Sequence, residues 1–489
     1  MDFLSQVVSW AARAPERVAH VSGARQLTYG ELVGRAATLA YWMEREFPRS
    51  GAPVALLGHR EPQLLVGMLA CALTNRPYVP IDDGLPAPRI ERIQGIAGVI
   101  ATLTPSDIDR LAPGASPLPP PRPRRADDVY YILFTSGSTG EPKGVQITRG
   151  NLSAFLGWML SEHALRAGDE VVLNQANFSF DLSVMDLYLS LVTGGTLVSV
   201  TREHVADLRA LFALLREVPL TTWVSTPTFA GLCLAERGFT AEMLPTLRRF
   251  LFCGETLPRE VARALLVRFP QAEVWNTYGP TEATVATTSI RVDMAVVEDN
   301  EVLPVGRVMP GTIVEVLGAG GEVVPSGERG EIVIAGPNVS PGYLGRDDLT
   351  RARFTVRGGH RAYRTGDWGR YRGPLLYCEG RMDQQVKLHG YRIELGDIEA
   401  HLREVPGVRD AVVVPVVRDG IAHSLTALLL AAADAGDGEA LAREAKQAIA
   451  SQLPAYMIPR RVRVVERFPL TANGKVDRAA LAAAAGASK

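Results

Sequence analysis

Short apolar strands alternate with amphipathic helices through the first half of this 489-residue chain, and this alternation restricts the possible folds most strongly. In residues 152–159, for example, apolar side chains recur at the i, i+3, i+4 and i+7 spacing of one helix face. We predict strands at residues 54–57, 130–134, 171–173, 196–200, 221–225, 249–253 and 273–276. This order predicts an α/β fold, with doubly wound sheets that carry helices on both faces.

The pattern changes after about residue 300. Alternating strands at 312–317 and 331–336 are separated by Gly-rich turns, which predicts a small β-barrel-like part over about 300–382. An α+β tail follows, with strands at 411–417 and 425–430 and a helix at 440–453. We therefore predict a large N-terminal part over 1–382 and a small C-terminal domain over 383–489.

The overall composition argues against several classes of protein. Charged residues make up 21% of the chain and the net charge is −1, so no basic surface for nucleic acid or an anionic membrane is expected. No run of 18 apolar residues and no signal-peptide pattern is present, which favours a cytoplasmic protein without membrane insertion. The four cysteines and eight histidines show no metal-binding spacing, so a zinc site is not expected.

One loop carries the strongest sign of chemistry. The predicted strand at 130–134 is followed by Thr135, Ser136, Gly137, Ser138, Thr139, Gly140, Glu141, Pro142 and Lys143. Small residues allow backbone N–H groups to approach an anion, and hydroxyl groups with one lysine add further donors. The loop is not a Walker A motif, because Lys143 is followed by Gly144 rather than by Ser or Thr. Composition alone leaves a plain turn open as the alternative to phosphate binding.

Lysine is rare in this chain, which draws attention to the positions where it occurs. Only five of the 52 basic residues are lysine, and Lys143, Lys387 and Lys475 lie in polar, glycine-containing segments. A compact ammonium can meet one oxygen where the planar guanidinium of arginine cannot. The alternative is that these placements arise by chance.

Further motifs follow in order. They are Tyr78-Val-Pro-Ile-Asp82, Asn276-Thr-Tyr-Gly-Pro-Thr-Glu282, Tyr363-Arg-Thr-Gly-Asp367, the segment 380–394, Leu453-Pro-Ala-Tyr-Met-Ile-Pro459 and Asn473-Gly-Lys-Val-Asp-Arg478. Together with the loop, they resemble the adenylate-forming superfamily over nearly the whole chain. That superfamily contains acyl-CoA synthetases, luciferases and peptide synthetase adenylation domains. The resemblance implies activation of a carboxylate with ATP, release of pyrophosphate and transfer of the acyl group to a thiol.

The resemblance also implies roles for individual residues. The loop from Thr135 to Lys143 would bind the leaving phosphates, and Glu282 would coordinate Mg²⁺. Nucleotide binding would fall to Asn276, Thr277, Tyr278, Thr281, Asp367 and Arg381. Lys475 would act as the catalytic cation, on a mobile C-terminal domain that turns about Asp383. Without these motifs, a surface salt bridge would be the preferred interpretation of Asp367 and Arg381.

The segment 177–185 narrows the acid that is activated. It resembles the segment in which amino-acid activators place a carboxylate for the substrate ammonium, and Asp181 fills that position. The alternative is a helix N-cap, because Asp181 precedes an apolar helical stripe. Carrying over the peptide synthetase pocket gives Leu182, Met185, Val224, Leu251, Cys253, Thr277, Val285 and Ala286. This lining suits a small apolar amino acid.

Within the superfamily, the segments at 178–188, 252–255, 276–286 and 388–392 look most like the branch that loads D-alanine onto carrier proteins. Cys253 matches the cysteine linked there to the preference for the D isomer, whereas Val224 and Leu251 depart from that branch. The implied partner is a separate phosphopantetheinylated carrier protein. The alternatives are a ligase for L-alanine or another small amino acid in natural-product biosynthesis, an acyl-CoA synthetase, or a nucleotide-binding regulator without catalysis.

Overall fold

The computed structural model describes residues 2–48, 51–137, 141–388, 390–418, 421–432, 437–469 and 476–487. The helices are α1 (Phe3–Arg13), α2 (Tyr29–Glu46), α3 (Pro62–Leu73), α4 (Ala87–Ala97), α5 (Pro105–Leu111), α6 (Arg149–Glu162), α7 (Leu182–Thr193), α8 (Arg202–Ala206), α9 (Leu208–Glu217), α10 (Pro227–Cys233), α11 (Arg259–Arg268), α12 (Met294–Asp299), α13 (Asp347–Arg353), α14 (Leu395–Arg403), α15 (Gly438–Ala450) and α16 (Arg478–Ala487). Short 3₁₀ turns occupy Thr281–Ala283 and Ala455–Met457.

The strands are β1 (Val18–Ser22), β2 (Arg25–Thr28), β3 (Val54–Leu57), β4 (Tyr78–Ile81), β5 (Ala101–Leu103), β6 (Val129–Thr135), β7 (Lys143–Thr148), β8 (Val171–Asn174), β9 (Thr196–Ser199), β10 (Thr222–Ser225), β11 (Arg249–Phe252), β12 (Glu273–Tyr278), β13 (Thr288–Val292), β14 (Arg307–Val308), β15 (Ile313–Leu317), β16 (Gly330–Ala335), β17 (Gly342–Tyr343), β18 (Phe354–Arg357), β19 (His360–Arg372), β20 (Leu375–Arg381), β21 (Gln385–Leu388), β22 (Tyr391–Glu394), β23 (Val408–Arg418), β24 (Ile421–Ala431) and β25 (Arg461–Val464).

Two large sheets dominate the first part of the chain. The nine-stranded sheet has the order β14-β13-β12-β11-β10-β8-β9-β1-β2, and its members from β12 to β1 run parallel. The six-stranded sheet has the order β17-β7-β6-β4-β3-β5, with β6, β4, β3 and β5 parallel. The predicted α/β class with doubly wound sheets is confirmed. Residues 313–381 add a five-stranded antiparallel sheet, in which β15, β16, β19 and β18 are successive neighbours and β20 pairs with β19.

Helix α6 begins slightly earlier than its pattern suggested. Asn151, directly before the apolar stripe, is the cap that the sequence predicts, but this prediction is wrong: Thr148 is the N-cap and Asn151 occupies the third helical position. The Thr148 hydroxyl accepts the Asn151 N–H at 3.2 Å, and the Asn151 side-chain oxygen accepts the Thr148 N–H at 3.0 Å. Such a reciprocal pair satisfies two N–H groups at the helix start. The apolar stripe of residues 152–159 is buried, as predicted.

Helix α7 ends at the glycine pair Gly194-Gly195, which follows its apolar stripe in the sequence. Gly194 adopts φ +69°, a conformation that favours glycine, and a Cβ atom there would lie 2.2 Å from the Trp10 ring. The Trp10 indole also donates to the Val192 carbonyl at 3.1 Å. The glycine therefore allows α1 to pack closely against the end of α7.

The structure divides into two compact units. The first contains residues 1–82, 96–133 and 144–382, and the second contains 83–95, 134–143 and 383–489. One boundary between the two units lies between Met382 and Asp383. Residues 83–95, which contain most of α4, and the predicted phosphate loop belong to the second unit. The Asp383 carboxylate accepts the Gln385 N–H at 3.2 Å. Rotation about Asp383 stays a prediction.

Each unit has its own core. In the first unit, apolar side chains from the two large sheets and from α2, α3, α6 and α7 are fully buried. In the second unit, α14 and α15 pack on the three-stranded sheet β23-β24-β25. None of the described helices combines the length and the apolar character that a membrane crossing requires.

Candidate active site

The parallel strands of the nine-stranded sheet bring the predicted amino-acid pocket together. Strands β10, β11 and β12 are neighbours, and their register places Val224 beside Leu251. Cys253 directly follows β11, and Thr277 lies near the end of β12. Because ligands in such sheets bind beyond the carboxyl ends of the strands, these positions lie where an amino-acid pocket is expected. The other predicted lining residues, Leu182, Met185, Val285 and Ala286, are also buried.

Asp181 precedes α7 but does not cap the helix through its side chain. It occupies the N-cap position in a helical conformation, and its carboxylate accepts no helix N–H. Instead, the Thr281 hydroxyl donates to Asp181 Oδ2 at 2.6 Å, across 100 residues of sequence. The carboxylate is half-buried. Burial raises the pKa of the Tyr131 hydroxyl well above its usual range, and the negative charge of Asp181 raises it further. Asp181 is therefore a local source of negative charge, next in sequence to the buried Leu182.

A second carboxylate, Asp367, is held by two of the predicted nucleotide-binding residues. The Tyr278 hydroxyl donates to Asp367 Oδ2 at 2.6 Å, and Arg381 Nη1 donates to Oδ1 at 3.1 Å. Burial raises the pKa of Tyr278 well above its usual range, with a further contribution from Asp367, so the hydroxyl stays protonated and keeps donating. Arg381 also donates to the Thr365 carbonyl at 2.8 Å. These contacts fix the orientation of the buried Asp367 carboxylate.

Glu282 lies in a tyrosine-lined environment that the sequence did not reveal. Its side chain is fully buried, and the Tyr343 hydroxyl donates to Glu282 Oε1 at 2.7 Å. The hydroxyl groups of Tyr343 and Tyr363 lie 3.3 Å apart. No local pattern distinguishes Tyr343 from other buried tyrosines, because it meets Glu282 only through the pairing of β17 with β7 and the fold around it.

The side chains of two predicted nucleotide-binding residues donate hydrogen bonds to backbone carbonyl groups. The Asn276 amide donates to the Pro304 carbonyl at 2.8 Å, and the Thr277 hydroxyl donates to the Phe252 carbonyl at 2.8 Å. Both side chains are buried. These two hydrogen bonds therefore fix the end of β11 and the segment before β14 against β12.

The segment after Glu282 has a strained backbone. Thr284 and Val285 adopt φ values of 54° and 69°, and such values in β-branched residues cost about 1–3 kcal/mol each. Asn338 stabilises this segment, because its side-chain amide donates to the Ala283 carbonyl at 2.8 Å and its backbone carbonyl accepts the Thr284 hydroxyl at 2.7 Å. The Cys253 thiol lies 3.5 Å from the Val285 carbonyl. The fold thus places the Val285 carbonyl in contact with Cys253, the residue that was predicted to govern the preference for the D isomer.

The phosphate loop, in the second unit, contacts the β21–β22 hairpin. The Ser136 hydroxyl donates to the Arg392 carbonyl at 2.7 Å and accepts the Glu394 N–H at 3.0 Å. Lys143 Nζ lies 3.7 Å from the Glu394 carboxylate, which also accepts the Gln385 amide at 2.6 Å. Both partners of the Lys143–Glu394 pair are largely buried. A phosphate that binds Lys143 would compete with this carboxylate.

Some of the predicted residues cannot be placed. Ser138, Thr139, Gly140 and the predicted catalytic Lys475 lie outside the described residues. Gly137 is described, and an added Cβ there would lie 2.0 Å from the Glu141 carbonyl, so a side chain would not fit. The Glu141 side chain forms an ion pair with Arg92 of α4.

Comparison with known proteins agrees with this geometry. The sequence profile of the AMP-binding enzyme family matches residues 7–344, and that of the AMP-binding enzyme C-terminal domain matches residues 397–475. The chain belongs to the AMP-binding enzyme family. The predicted adenylate-forming superfamily is confirmed, and with it an ATP-dependent adenylating ligase.

Relatives of this enzyme carry more specific names. It is 42% identical over 497 residues to D-alanine--D-alanyl carrier protein ligase of Bacillus cereus, covering 98% of both chains. A ligase of the same name from Bacillus anthracis is 42% identical over 496 residues, again covering 98% of both chains. These relatives belong to the D-alanine-loading branch of the superfamily, which the motifs of this chain resemble most.

Solved structures show the same fold. The NRPS protein PA1221, which contains adenylation and PCP domains, is 28% identical with a TM-score of 0.84, covering 98% of this chain and 84% of that one. The adenylation domain AlmE of Vibrio cholerae, in complex with glycyl-adenosine-5'-phosphate, is 24% identical with a TM-score of 0.86. This comparison covers 100% of this chain and 98% of AlmE.

Proposed function

We propose that this AMP-binding enzyme is a D-alanine–carrier protein ligase. The observation that carries the proposal is the half-buried Asp181, which accepts the Thr281 hydroxyl and lies in sequence next to the buried apolar residues Leu182 and Met185. A carboxylate in this position can bind the ammonium of an amino acid through a charge-assisted hydrogen bond. The name and 98% coverage of the Bacillus ligases support D-alanine as the amino acid.

The proposed reaction has two steps. In the first, the amino-acid carboxylate attacks the α-phosphorus of ATP, an acyl–phosphate bond forms, and pyrophosphate leaves. In the second, the phosphopantetheine thiolate of a carrier protein attacks the acyl carbon, and AMP leaves. The adenylation–PCP architecture of PA1221 supports a carrier as the acceptor. We place the reaction in the cytoplasm, where ATP is available.

The chain's residues divide the work between substrate and nucleotide. Asp181 binds the ammonium, and the Cys253–Val285 wall limits the space around the α-carbon. Asp367 accepts hydrogen bonds from the ribose hydroxyls, since Tyr278 and Arg381 already fix its orientation. Lys475 neutralises charge that develops at the α-phosphorus.

Magnesium fits Glu282 as a cofactor bound together with the nucleotide. Mg²⁺ commonly uses one or two carboxylates with substrate phosphates and several waters. Glu282 offers one hard carboxylate whose orientation Tyr343 fixes. The described residues contain no cluster of three or more His, Cys, Asp or Glu side chains suited to a metal ion, so a protein-only cage is not part of the proposal. When bound, Mg²⁺ would neutralise phosphate charge.

The test is ATP–pyrophosphate exchange with a panel of acids, followed by mass spectrometry of a phosphopantetheinylated carrier protein. We expect the fastest exchange with D-alanine, weaker exchange with glycine and serine, and a carrier that gains one alanyl group. Faster exchange with L-alanine would favour the natural-product alternative. A fatty acid or benzoate that outperforms every amino acid would refute the role of Asp181, and no exchange with any acid would favour a non-catalytic regulator.

A further inference from the structure

A basic cavity of about 440 Å³ lies beside the start of α6, within the first unit. Four of its lining residues are arginines, namely Arg122, Arg124, Arg125 and Arg149, and one carboxylate, Asp2, also lines it. None of these residues belongs to the candidate active site. The cavity therefore carries a positive charge for which the proposed reaction has no use.

Three of the four arginines have no acidic partner at ion-pair distance in the described part of the chain. Arg122 pairs with Glu44, but Arg124, Arg125 and Arg149 form no salt bridge there. Arg149 donates instead to neutral acceptors, the Asn75 side-chain oxygen at 3.0 Å and a backbone carbonyl at 3.0 Å. Its guanidinium carbon lies 4.9 Å from the centroid of a tyrosine ring, that of Tyr130, which also lines the cavity.

Arg124 shows the electrostatic cost of this arrangement. Its Nε is buried and has no hydrogen-bond partner among the described residues. Burial lowers the pKa of the Arg124 guanidinium, and the positive charge of Arg149 lowers it further, while Asp2 and Tyr130 partly offset the effect. Asp128 is the other acid nearby, and its carboxylate accepts the Arg125 N–H at 2.7 Å. An anion in the cavity would relieve this repulsion.

The helix start itself adds little to anion binding here. The N–H groups of Arg149 and Gly150 already donate to the carbonyls of Asp128 and Ala126, at 3.0 and 2.8 Å. Any recognition must therefore come from the arginine side chains, whose planar donor pairs match phosphate oxygens. The volume exceeds that of a single phosphate and falls within the usual range of small-molecule sites.

We propose that this cavity is a second, non-catalytic site that binds a small molecule carrying at least two phosphate groups. Phe3 and Tyr130 provide the apolar wall, and the three arginines without acidic partners provide the charge. The site differs from the ATP site of the reaction in every residue that contributes to it.

The test uses inorganic pyrophosphate as the probe and isothermal titration calorimetry at fixed ionic strength. The full-length Lys143→Ala variant serves as background, because it weakens the phosphate loop of the reaction site. In that background, Arg124→Gln with Arg125→Gln should weaken pyrophosphate binding by about tenfold or more, the scale of one lost charge-assisted hydrogen bond. Inorganic phosphate should bind more weakly than pyrophosphate.

Arg216→Gln is the matched control, since Arg216 is an exposed arginine on α9 and should leave binding unchanged. If the double variant melts at a lower temperature without ligand, Arg125→Gln alone is used, because that side chain is exposed. Unchanged pyrophosphate affinity in the folded arginine variants would overturn the proposal. Complete loss of pyrophosphate binding in Lys143→Ala alone would overturn it too. Equal affinity for phosphate and pyrophosphate would overturn the requirement for two phosphate groups.

Discussion

Replacing Asp181 by asparagine should selectively weaken capture of the amino acid. Asparagine has nearly the same shape and keeps an oxygen to which the Thr281 hydroxyl can donate. The Asp181 side chain makes no capping hydrogen bond to α7, so the helix should keep its stability. The change therefore removes a negative charge while preserving the local structure.

The burial of Asp181 sets the expected magnitude. Loss of one partner from a buried ion pair costs about 3–5 kcal/mol, and a single hydrogen bond to a charged group contributes about 1.5–3 kcal/mol. Because Asp181 is half-buried, solvent screens part of its charge, and we expect a loss of about 2–4 kcal/mol. This corresponds to a decrease of about 30- to 1,000-fold in kcat/KM for the amino acid.

The assay is ATP–pyrophosphate exchange over a range of D-alanine concentrations, with the KM for ATP measured in parallel. Asp207→Asn is the matched control, because the Asp207 carboxylate does cap its helix, α9, and accepts the Arg209 N–H at 2.9 Å. That control should lower the melting temperature slightly and leave kcat/KM unchanged. The reasoning is refuted if Asp181→Asn retains wild-type kcat/KM, or if the KM for ATP rises as much as the KM for D-alanine.

Four further variants test other parts of the site. Cys253→Ala should change the ratio of kcat/KM for D- and L-alanine by about tenfold, since one contact with a substrate group discriminates by about 1–3 kcal/mol, and an unchanged ratio would remove Cys253 from the specificity wall. Lys475→Ala should slow adenylate formation by about 10²- to 10³-fold while transfer from preformed adenylate survives, as single-turnover measurements of each step can check. Tyr343→Phe should raise the Mg²⁺ concentration needed for half-maximal exchange by about tenfold, because Glu282 loses a donor; a parallel loss at saturating Mg²⁺ would contradict this. Glu394→Gln should lower the KM for ATP by about two- to fivefold, since it removes the carboxylate 3.7 Å from Lys143, and a raised KM would show that this pair supports ATP binding instead.

The elements of the large sheets could be predicted because their signals are local. The β3 strand, the burial of the α6 stripe and the end of α7 at Gly194 all follow from apolar spacing and glycine placement within a few residues. The start of α6 was placed too late, because Asn151 is a good capping residue although Thr148 takes the N-cap position. The capping box that uses both of them becomes visible only in the backbone geometry.

The candidate site residues could also be predicted, since contiguous motifs contain the predicted phosphate loop, Glu282, Asp367 and Asp181. The hydrogen-bond partners of these residues could not be predicted. Thr281 lies 100 residues from Asp181, and Tyr278 lies 89 residues from Asp367. Such pairs depend on which strands become neighbours in the sheets, and local propensity contains no information on that order.

Only tertiary packing determined the conformation of the Thr284–Val285 segment and the grouping of arginines around the second cavity. Strain at Thr284 and Val285 runs against the local preference of β-branched residues, so it persists only because the surrounding structure, including Asn338, stabilises it. Arg124 and Arg149 are ordinary surface residues in the sequence, one in a proline-rich connection and one after a strand. They become a shared positive site only when the fold brings them, half-buried, to the lining of one cavity, because the electrostatic cost of a charge depends on its neighbours and on its exposure to water.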